Sequence, residues 1–137
     1  MSQAMSRNKP GATMKEMARR VLETLREVRG VQSAVLFSAD GFEIAAYAAD
    51  AAASARLAAI GSSLAALGAA ISAEAGLRDF ERATIEGHSG TVMIRRIGAH
   101  ANSSMSLAIV AGRNVVLGQL MWATQHCCDA IEKVVGE

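Results

Sequence analysis

The chain has 137 residues, of which 51% are apolar, so it is long and apolar enough for one folded domain and is not a disordered protein. Its net charge of +1 provides no overall field that would attract nucleic acid or a membrane surface. Cys127 and Cys128 are neighbours that cannot bridge each other within a helix, and the N-terminus lacks the apolar run of a signal peptide. These features favour a reducing, cytoplasmic location.

The basic residues are concentrated at the N-terminus. Residues 1–30 carry seven basic and three acidic side chains, which an acidic partner could contact, although a solvated helix face is the favoured explanation. Residues 1–12 are predicted to form a flexible tail, and residues 13–137 a single domain. Thr13 and Glu16 have the spacing of a capping box, which predicts a first helix ending near Gly30.

The rest of the chain is typical of an α/β fold. The predicted strands are 31–38, 42–47, 80–86, 91–97 and 105–111, with a loop at 98–104. Asp50 is a candidate N-cap for a middle helix that runs to about Ala75, and a last helix follows Asn114. Short loops predict antiparallel pairing, and strands that are apolar on both sides predict helices on both faces of the sheet.

The middle helix is almost uncharged, because Arg56 is the only charged residue from 51 to 73. Its larger apolar residues are expected to pack against the sheet: Leu57, Ile60, Leu64, Leu67 and Ile71. The opposite side is made of small residues, and four of them are predicted to form a dimer interface: Gly61, Ala65, Gly68 and Ser72. Two alternatives are burial within one chain and a membrane span. The segment is short and rich in Ala, Ser and Gly for a span.

The strand at 80–86 alternates, with Arg82, Thr84 and Glu86 on one side and Ala83 and Ile85 on the other. If this strand lies at a sheet edge, it can pair with a second copy of itself, and Arg82 and Glu86 can then meet across a two-fold axis. The same charges can instead protect the edge from pairing. The sequence leaves both interpretations open, and the three polar residues are included in the predicted dimer interface.

Three segments resemble the roadblock / dynein light chain family: GVQSAVLFSADGFEIAA, GTVMIRRIG and MSLAIVAGRNVVLGQLMWA. The resemblance extends over about residues 14–135 and is closest to bacterial single-domain members. It implies a five-stranded antiparallel sheet with the middle helix on one face and the terminal helices on the other. It also implies dimerisation through the middle helix and the strand that follows it.

Members of this family bind Ras-like small GTPases and regulate their nucleotide cycle, or serve as scaffold subunits. The resemblance therefore implies a non-enzymatic homodimeric regulator or adaptor of such a GTPase, including a GTPase-activating role. The alternatives are a small-molecule sensor and a structural subunit that pairs with a paralogue. The chain has no Gly-x-x-x-x-Gly-Lys-Ser/Thr loop, so it is not itself the GTPase.

No cofactor, metal or catalytic site is predicted. His88, His100 and His126 lack metal-ligand spacing. The two cysteines are predicted to be buried inert thiols, and Trp122 a packing residue.

Arg95 and Arg96 are possible contacts for a partner, since an arginine supplied to a GTPase can accelerate phosphoryl transfer. Because neighbouring strand residues point to opposite faces of the sheet, only one of the two arginines can contact a partner bound at a given face. Ordinary surface charge is the alternative explanation.

Overall fold

The computed structural model describes residues 10–98 and 105–136. Its helices are α1 (Pro10–Glu23), α2 (Ala51–Glu74) and α3 (Leu117–Gly136), and a 3-10 turn, Thr24–Glu27, extends α1. Its strands are β1 (Val31–Ser38), β2 (Glu43–Tyr47), β3 (Arg82–Gly87), β4 (Gly90–Ile97) and β5 (Met105–Gly112). The order is the predicted one: helix, two strands, helix, three strands, helix.

The five strands form one sheet in the order β2-β1-β5-β4-β3. Every neighbouring pair is antiparallel. The hairpins β1–β2 and β3–β4 are thereby joined through β5, the last strand in the chain, which lies at the centre of the sheet. This arrangement confirms the predicted fold class and leaves β2 and β3 at the two edges.

The two faces of the sheet are covered unequally. On one face α1 and α3 pack on the sheet, and Leu22 and Leu120 lie with Leu36 and Leu107 in the larger core cluster. On the other face α2 packs on the smaller cluster, which includes Ala58 beside Phe37 and further sheet residues. The expected division between the middle helix and the terminal helices is confirmed.

The first helix begins at Pro10, three residues before the predicted capping box at Thr13. Proline suits the first turn of a helix because its fixed φ is helical and the missing N–H would be unpaired there. Residues 1–9, most of the predicted tail, lie outside the described residues. The helix is followed by Gly30 at φ +96°, where a Cβ would lie 2.8 Å from the Val115 Cα. Both the backbone angle and the close approach favour glycine here.

Helix α2 begins and ends as predicted. An Asp50 carboxylate oxygen accepts a hydrogen bond from the Ala53 N–H at 2.8 Å, which caps the first turn. At the other end Gly76 has φ +73°, and the Leu77 N–H donates to the Ser72 carbonyl at 2.8 Å. This is the Schellman motif, which satisfies carbonyls left open at the helix end.

The predicted orientation of α2 is wrong. The side that packs on the sheet is the small-residue side, where Ala58, Gly61 and Ser72 are buried. Of the five expected core residues, Ile60, Leu67 and Ile71 are 67%, 59% and 66% exposed. Leu57 and Leu64 are partly buried and pack at the margin of the smaller core cluster.

Two aromatic rings explain this orientation. A Cβ added to Gly61 would lie 2.8 Å from the Phe37 Cζ, and one added to Gly68 would lie 2.5 Å from the Phe80 Cε1. The rings therefore occupy the space that side chains would need at these two positions. The exposed Ile60, Leu67 and Ile71 cannot turn toward the sheet without displacing both rings, which are themselves buried.

We expect Gly61→Ala to lower the free energy of unfolding by about 1–3 kcal/mol, because the overpacking against Phe37 outweighs the helix propensity gained. Gly118→Ala is the matched control, since Gly118 lies in α3 with nothing within 4 Å of an added Cβ. It should be neutral or stabilise the protein by up to about 1 kcal/mol. Urea unfolding at one protein concentration measures both. Equal effects of the two substitutions would contradict the close contact.

Candidate interaction surface

Helix α2 is too narrow to cover its face of the sheet. Five strands spaced about 4.8 Å apart span roughly 20 Å, whereas a helix with its side chains is about 10–12 Å wide. The opposite face has two helices, α1 and α3. Among the described residues, α2 is the only helix on its own face, so a strip of that face beside it is left without a second layer.

The outward side of α2 and the region that follows it expose large apolar side chains. We name as the α2 surface the residues Ile60, Leu67, Ile71, Leu77 and Ile85, all of which are exposed. Ile85 belongs to this side of the sheet because it pairs with Val92, which packs on the smaller core cluster. A group of exposed large apolar side chains on one side of a fold typically marks an interaction site.

The α2 surface adjoins an open sheet edge. In the described part of the chain, β3 pairs only with β4. Its pairing places Arg82, Thr84 and Glu86 opposite Arg95, Met93 and Thr91. The predicted edge position and the alternation of this strand are confirmed, and the outer N–H and C=O groups of β3 are available for pairing.

The four positions of α2 predicted as a dimer interface lie on the side toward the protein's own sheet. Gly61 and Ser72 are buried there, Ala65 and Gly68 are partly buried, and the Phe37 and Phe80 rings lie next to the two glycines. They face the sheet, whereas Ile60 and Leu67 are exposed. The spacing of the small residues matches that of the large ones, so the sequence pattern did not distinguish the two sides.

Arg95 and Arg96 are both partly buried, and the structure does not bring them together. Arg95 donates from Nη2 to the Gln125 Oε1 of α3 at 2.7 Å, while its Nε is buried without a hydrogen-bond partner. Arg96 lies on the α2 side of the sheet, in the wall of a cavity of about 200 Å³ that Ser62 also lines. The expected opposite orientation of the two side chains is confirmed, and the role in partner binding stays a prediction.

The two cysteines of α3 are buried, as predicted. Burial raises the pKa of the Cys127 thiol, which lies 3.7 Å from the Val21 carbonyl oxygen and 3.8 Å from the Thr24 hydroxyl. Burial also raises the pKa of the Cys128 thiol, to about 12. Both groups are protonated at neutral pH, and a protonated, enclosed thiol is a weak nucleophile.

Trp122 does not pack in the core, so that prediction is wrong. The residue is 66% exposed, and its ring lies 3.9 Å from the ring of His126, centroid to centroid. The face of α3 that packs in the core carries Leu120, Thr124 and Cys128 instead. Trp122 lies on the other side of the helix from these three residues, and that side faces solvent.

No group of three or more His, Cys, Asp or Glu residues within 10–98 and 105–136 is placed to hold a metal ion. Helix α2 is long and apolar enough, by length and composition alone, to cross a membrane. In this structure it lies along the sheet instead, with its small-residue side buried against Phe37 and Phe80.

Several solved structures share this fold. The Roadblock/LC7 domain from Streptomyces avermitilis superposes with a TM-score of 0.79 at 23% identity, covering 87% of this chain and 98% of its own. The gliding protein MglB from Thermus thermophilus has a TM-score of 0.75 at 23% identity, covering 88% and 90%. Myxococcus xanthus MglB has a TM-score of 0.76 at 13% identity, covering 99% and 95%. At these identities the likeness establishes the fold.

The sheet, its three helices and its structural neighbours thus define a domain with the roadblock fold. The family defined as the Roadblock/LC7 domain matches residues 17–110, which is more than half of the chain. The chain belongs to the Roadblock/LC7 family. No curated protein matches it significantly in sequence.

The buried Cys128 thiol predicts a loss of stability at high pH. The ordinary pKa of the thiol is 9.0 and the folded value is about 12, so above pH 9 the unfolded chain gives up a proton that the folded chain retains. The unfolded state then binds fewer protons, and the free energy of unfolding falls as the pH rises from 9 to about 12.

Urea unfolding at about pH 8 and about pH 10 should show a smaller loss for Cys128→Ala than for the unmodified chain. This variant lacks the thiol, so the pH dependence that remains in it comes from other groups. An identical pH dependence of the two proteins would contradict the buried, protonated thiol.

Proposed function

We propose that this chain is a non-enzymatic, homodimeric regulator or adaptor of a Ras-like small GTPase, located in the cytoplasm. The observation that carries the proposal is the α2 surface beside the open edge of β3. The GTPase partner is inferred from the family resemblance. The dimer is inferred separately, from the exposed apolar residues and the open strand edge.

A second copy of the chain fits the uncovered face better than an unrelated helix. In an isologous dimer the same surface is used twice, so the α2 of the partner would supply the second helix that this face of the sheet lacks. Each large apolar side chain fully removed from water contributes about 1.5–3 kcal/mol, which favours burying Ile60, Leu67 and Ile71.

The edge strand supports the same arrangement. Antiparallel pairing of β3 with its copy about Thr84 places Arg82 opposite the partner's Glu86, and opposite charges across paired strands stabilise a sheet. Such pairing satisfies the outer backbone groups of β3 and joins two five-stranded sheets into one. The predicted roles of Arg82, Thr84 and Glu86 in a dimer therefore remain part of the proposal. For α2, we propose that the exposed Ile60, Leu67 and Ile71 contact the partner, in place of the four small residues predicted from the sequence.

We expect Leu67→Asp to convert the dimer to a monomer, because two unpaired carboxylates would be buried in the interface at about 3–5 kcal/mol or more. Trp122→Asp is the matched control: Trp122 is 66% exposed, close to the 59% of Leu67, but lies on α3 at the other face. Light scattering over a range of protein concentrations measures the mass of each. A dimer that survives Leu67→Asp, or a monomeric unmodified chain, would contradict the proposed interface.

Regulation is proposed to act through conformation. A protein that binds one state of a GTPase's switch regions more tightly shifts the population toward that state and so changes exchange or hydrolysis. This requires no catalytic group on the chain. Arg95 donates a hydrogen bond to Gln125, and both arginines are partly buried.

The test uses the Ras-like GTPase whose gene lies nearest to the gene for this chain. Its rates of GTP hydrolysis and nucleotide exchange are measured with and without the full-length protein. We expect at least one of the two rates to change, and Leu67→Asp to remove the effect while Trp122→Asp retains it. Arg95→Ala and Arg96→Ala should leave hydrolysis within about twofold, whereas loss of a catalytic arginine costs about 10³-fold or more. If the GTPase does not bind and neither rate changes, the GTPase assignment is contradicted. The proposed dimer is tested separately, by the molecular mass from light scattering.

A further inference from the structure

A cavity of about 200 Å³ lies between α2 and the sheet. Its floor is a row of three side chains from neighbouring strands. Ser106 of β5 is paired with Phe37 of β1 on one side and with Arg96 of β4 on the other. Residues directly opposite each other in antiparallel strands project from the same face of the sheet, so these three side chains lie side by side below α2.

The roof of the cavity is apolar. Helix α2 contributes three alanines to it: Ala65, Ala66 and Ala69. The rings of Phe37 and Phe80 also line the cavity, and they contact the helix at Gly61 and Gly68. These two glycines are two helical turns apart, so the rings meet the helix at points about 10 Å from each other. The space between the rings, with methyl groups above it, is suited to a slim apolar group.

The polar groups of the cavity lie in its floor, between the two rings. Among the described residues that line the cavity, Arg96 is the only charged one. Its neighbour Ser106 is 7% exposed. Arg96 also borders a second cavity, which Asp79 and Glu81 line. A guanidinium has five N–H donors, so Arg96 can donate to a ligand in addition to groups of its own chain.

The size and charge of the cavity define the class of ligand. Sites for drug-sized ligands typically have about 300–1,000 Å³, so a cavity of about 200 Å³ suits a smaller molecule, with one ring or a short branched chain. The single positive charge of its described wall matches one negative charge. A planar carboxylate fits the fork of N–H donors of a guanidinium.

We propose that this cavity binds a small monocarboxylate. The apolar body of the ligand lies between the Phe37 and Phe80 rings, and its carboxylate accepts hydrogen bonds from Arg96 and Ser106. Hydrogen bonds between charged groups are about twice as strong as neutral ones, and they fix the orientation of the ligand. No described residue that lines the cavity belongs to the α2 surface. The site is therefore independent of the proposed dimer contact and of the GTPase.

The test titrates the full-length, ¹⁵N-labelled protein with benzoate, which combines one ring with one carboxylate. Amide shifts should centre on Phe37, Arg96, Ser106 and residues 62–69. Acetate has the same charge without the ring, and benzamide has the ring without the charge. Each should bind about tenfold or more weakly than benzoate, because acetate lacks the apolar contact and benzamide the hydrogen bond between charged groups.

Two pairs of variants locate the site. Arg96→Met removes the charge and should weaken benzoate binding by about tenfold or more. Arg56→Met is its matched control, because Arg56 is exposed on α2 and does not line the cavity. Ala69→Leu places a larger side chain in the cavity and should abolish binding. Ala70→Leu, at the next and exposed position, should leave binding unchanged.

The ¹⁵N spectrum of each variant also shows whether it is folded, so an unfolded Ala69→Leu would leave the decision to Arg96→Met. The absence of binding by benzoate, or shifts outside the cavity, would overturn the proposal. Acetate that binds as tightly as benzoate would overturn it too, because the anion would then be held by surface charge alone. Unchanged benzoate binding in Arg96→Met would have the same consequence.

Discussion

The contact between the glycines of α2 and two phenylalanine rings sets the architecture of this protein. Gly61 and Gly68 let the helix backbone approach the sheet until the rings of Phe37 and Phe80 fill the space between them. Glycine in a helix interior costs about 1 kcal/mol relative to alanine, so the chain accepts two unfavourable residues to make this contact. Because the small side of the helix faces inward, Ile60, Leu67 and Ile71 face outward. The exposed α2 surface is therefore a direct consequence of how the core is packed.

The two faces of the sheet differ in how completely the chain covers them. Helices α1 and α3 enclose the larger core, in which Leu22, Leu36 and Leu120 are fully buried. The other face has a smaller core and a single helix. A sheet with one incomplete layer is well suited to association, since the missing layer can be supplied by another chain. The functional surface proposed for this Roadblock/LC7 protein thus arises from incomplete coverage by its own helices.

The two edges of the sheet differ in what surrounds them. Edge strand β3 exposes charged residues of both signs, which suits a selective pairing with itself, whereas β2 has α1 packed along it. The thiols of Cys127 and Cys128 are buried and protonated, and the Arg95 guanidinium is directed at Gln125. The surfaces of the described chain therefore favour recognition by packing and backbone pairing.

The sequence alone determined most of the fold. The caps of α2 at Asp50 and Gly76 act within a few residues of the chain, so local pattern was sufficient to place them. Strand boundaries followed from runs of apolar residues bounded by turns, and the family resemblance supplied the division of the helices between the two faces of the sheet. The start of α1 at Pro10 was missed because proline is compatible with both a tail and a first helical turn.

Only the tertiary structure decided which side of α2 is buried. The small residues and the large residues both recur three and four positions apart, so periodicity gives two equivalent stripes and does not choose between them. The choice depends on Phe37 and Phe80, which are distant from the two glycines in the sequence and meet them only in the fold. The exposure of Trp122 and the bond from Arg95 to Gln125 are decided in the same way, by contacts between elements far apart along the chain. Local pattern fixes where elements lie along the chain, and long-range packing fixes which face each one presents.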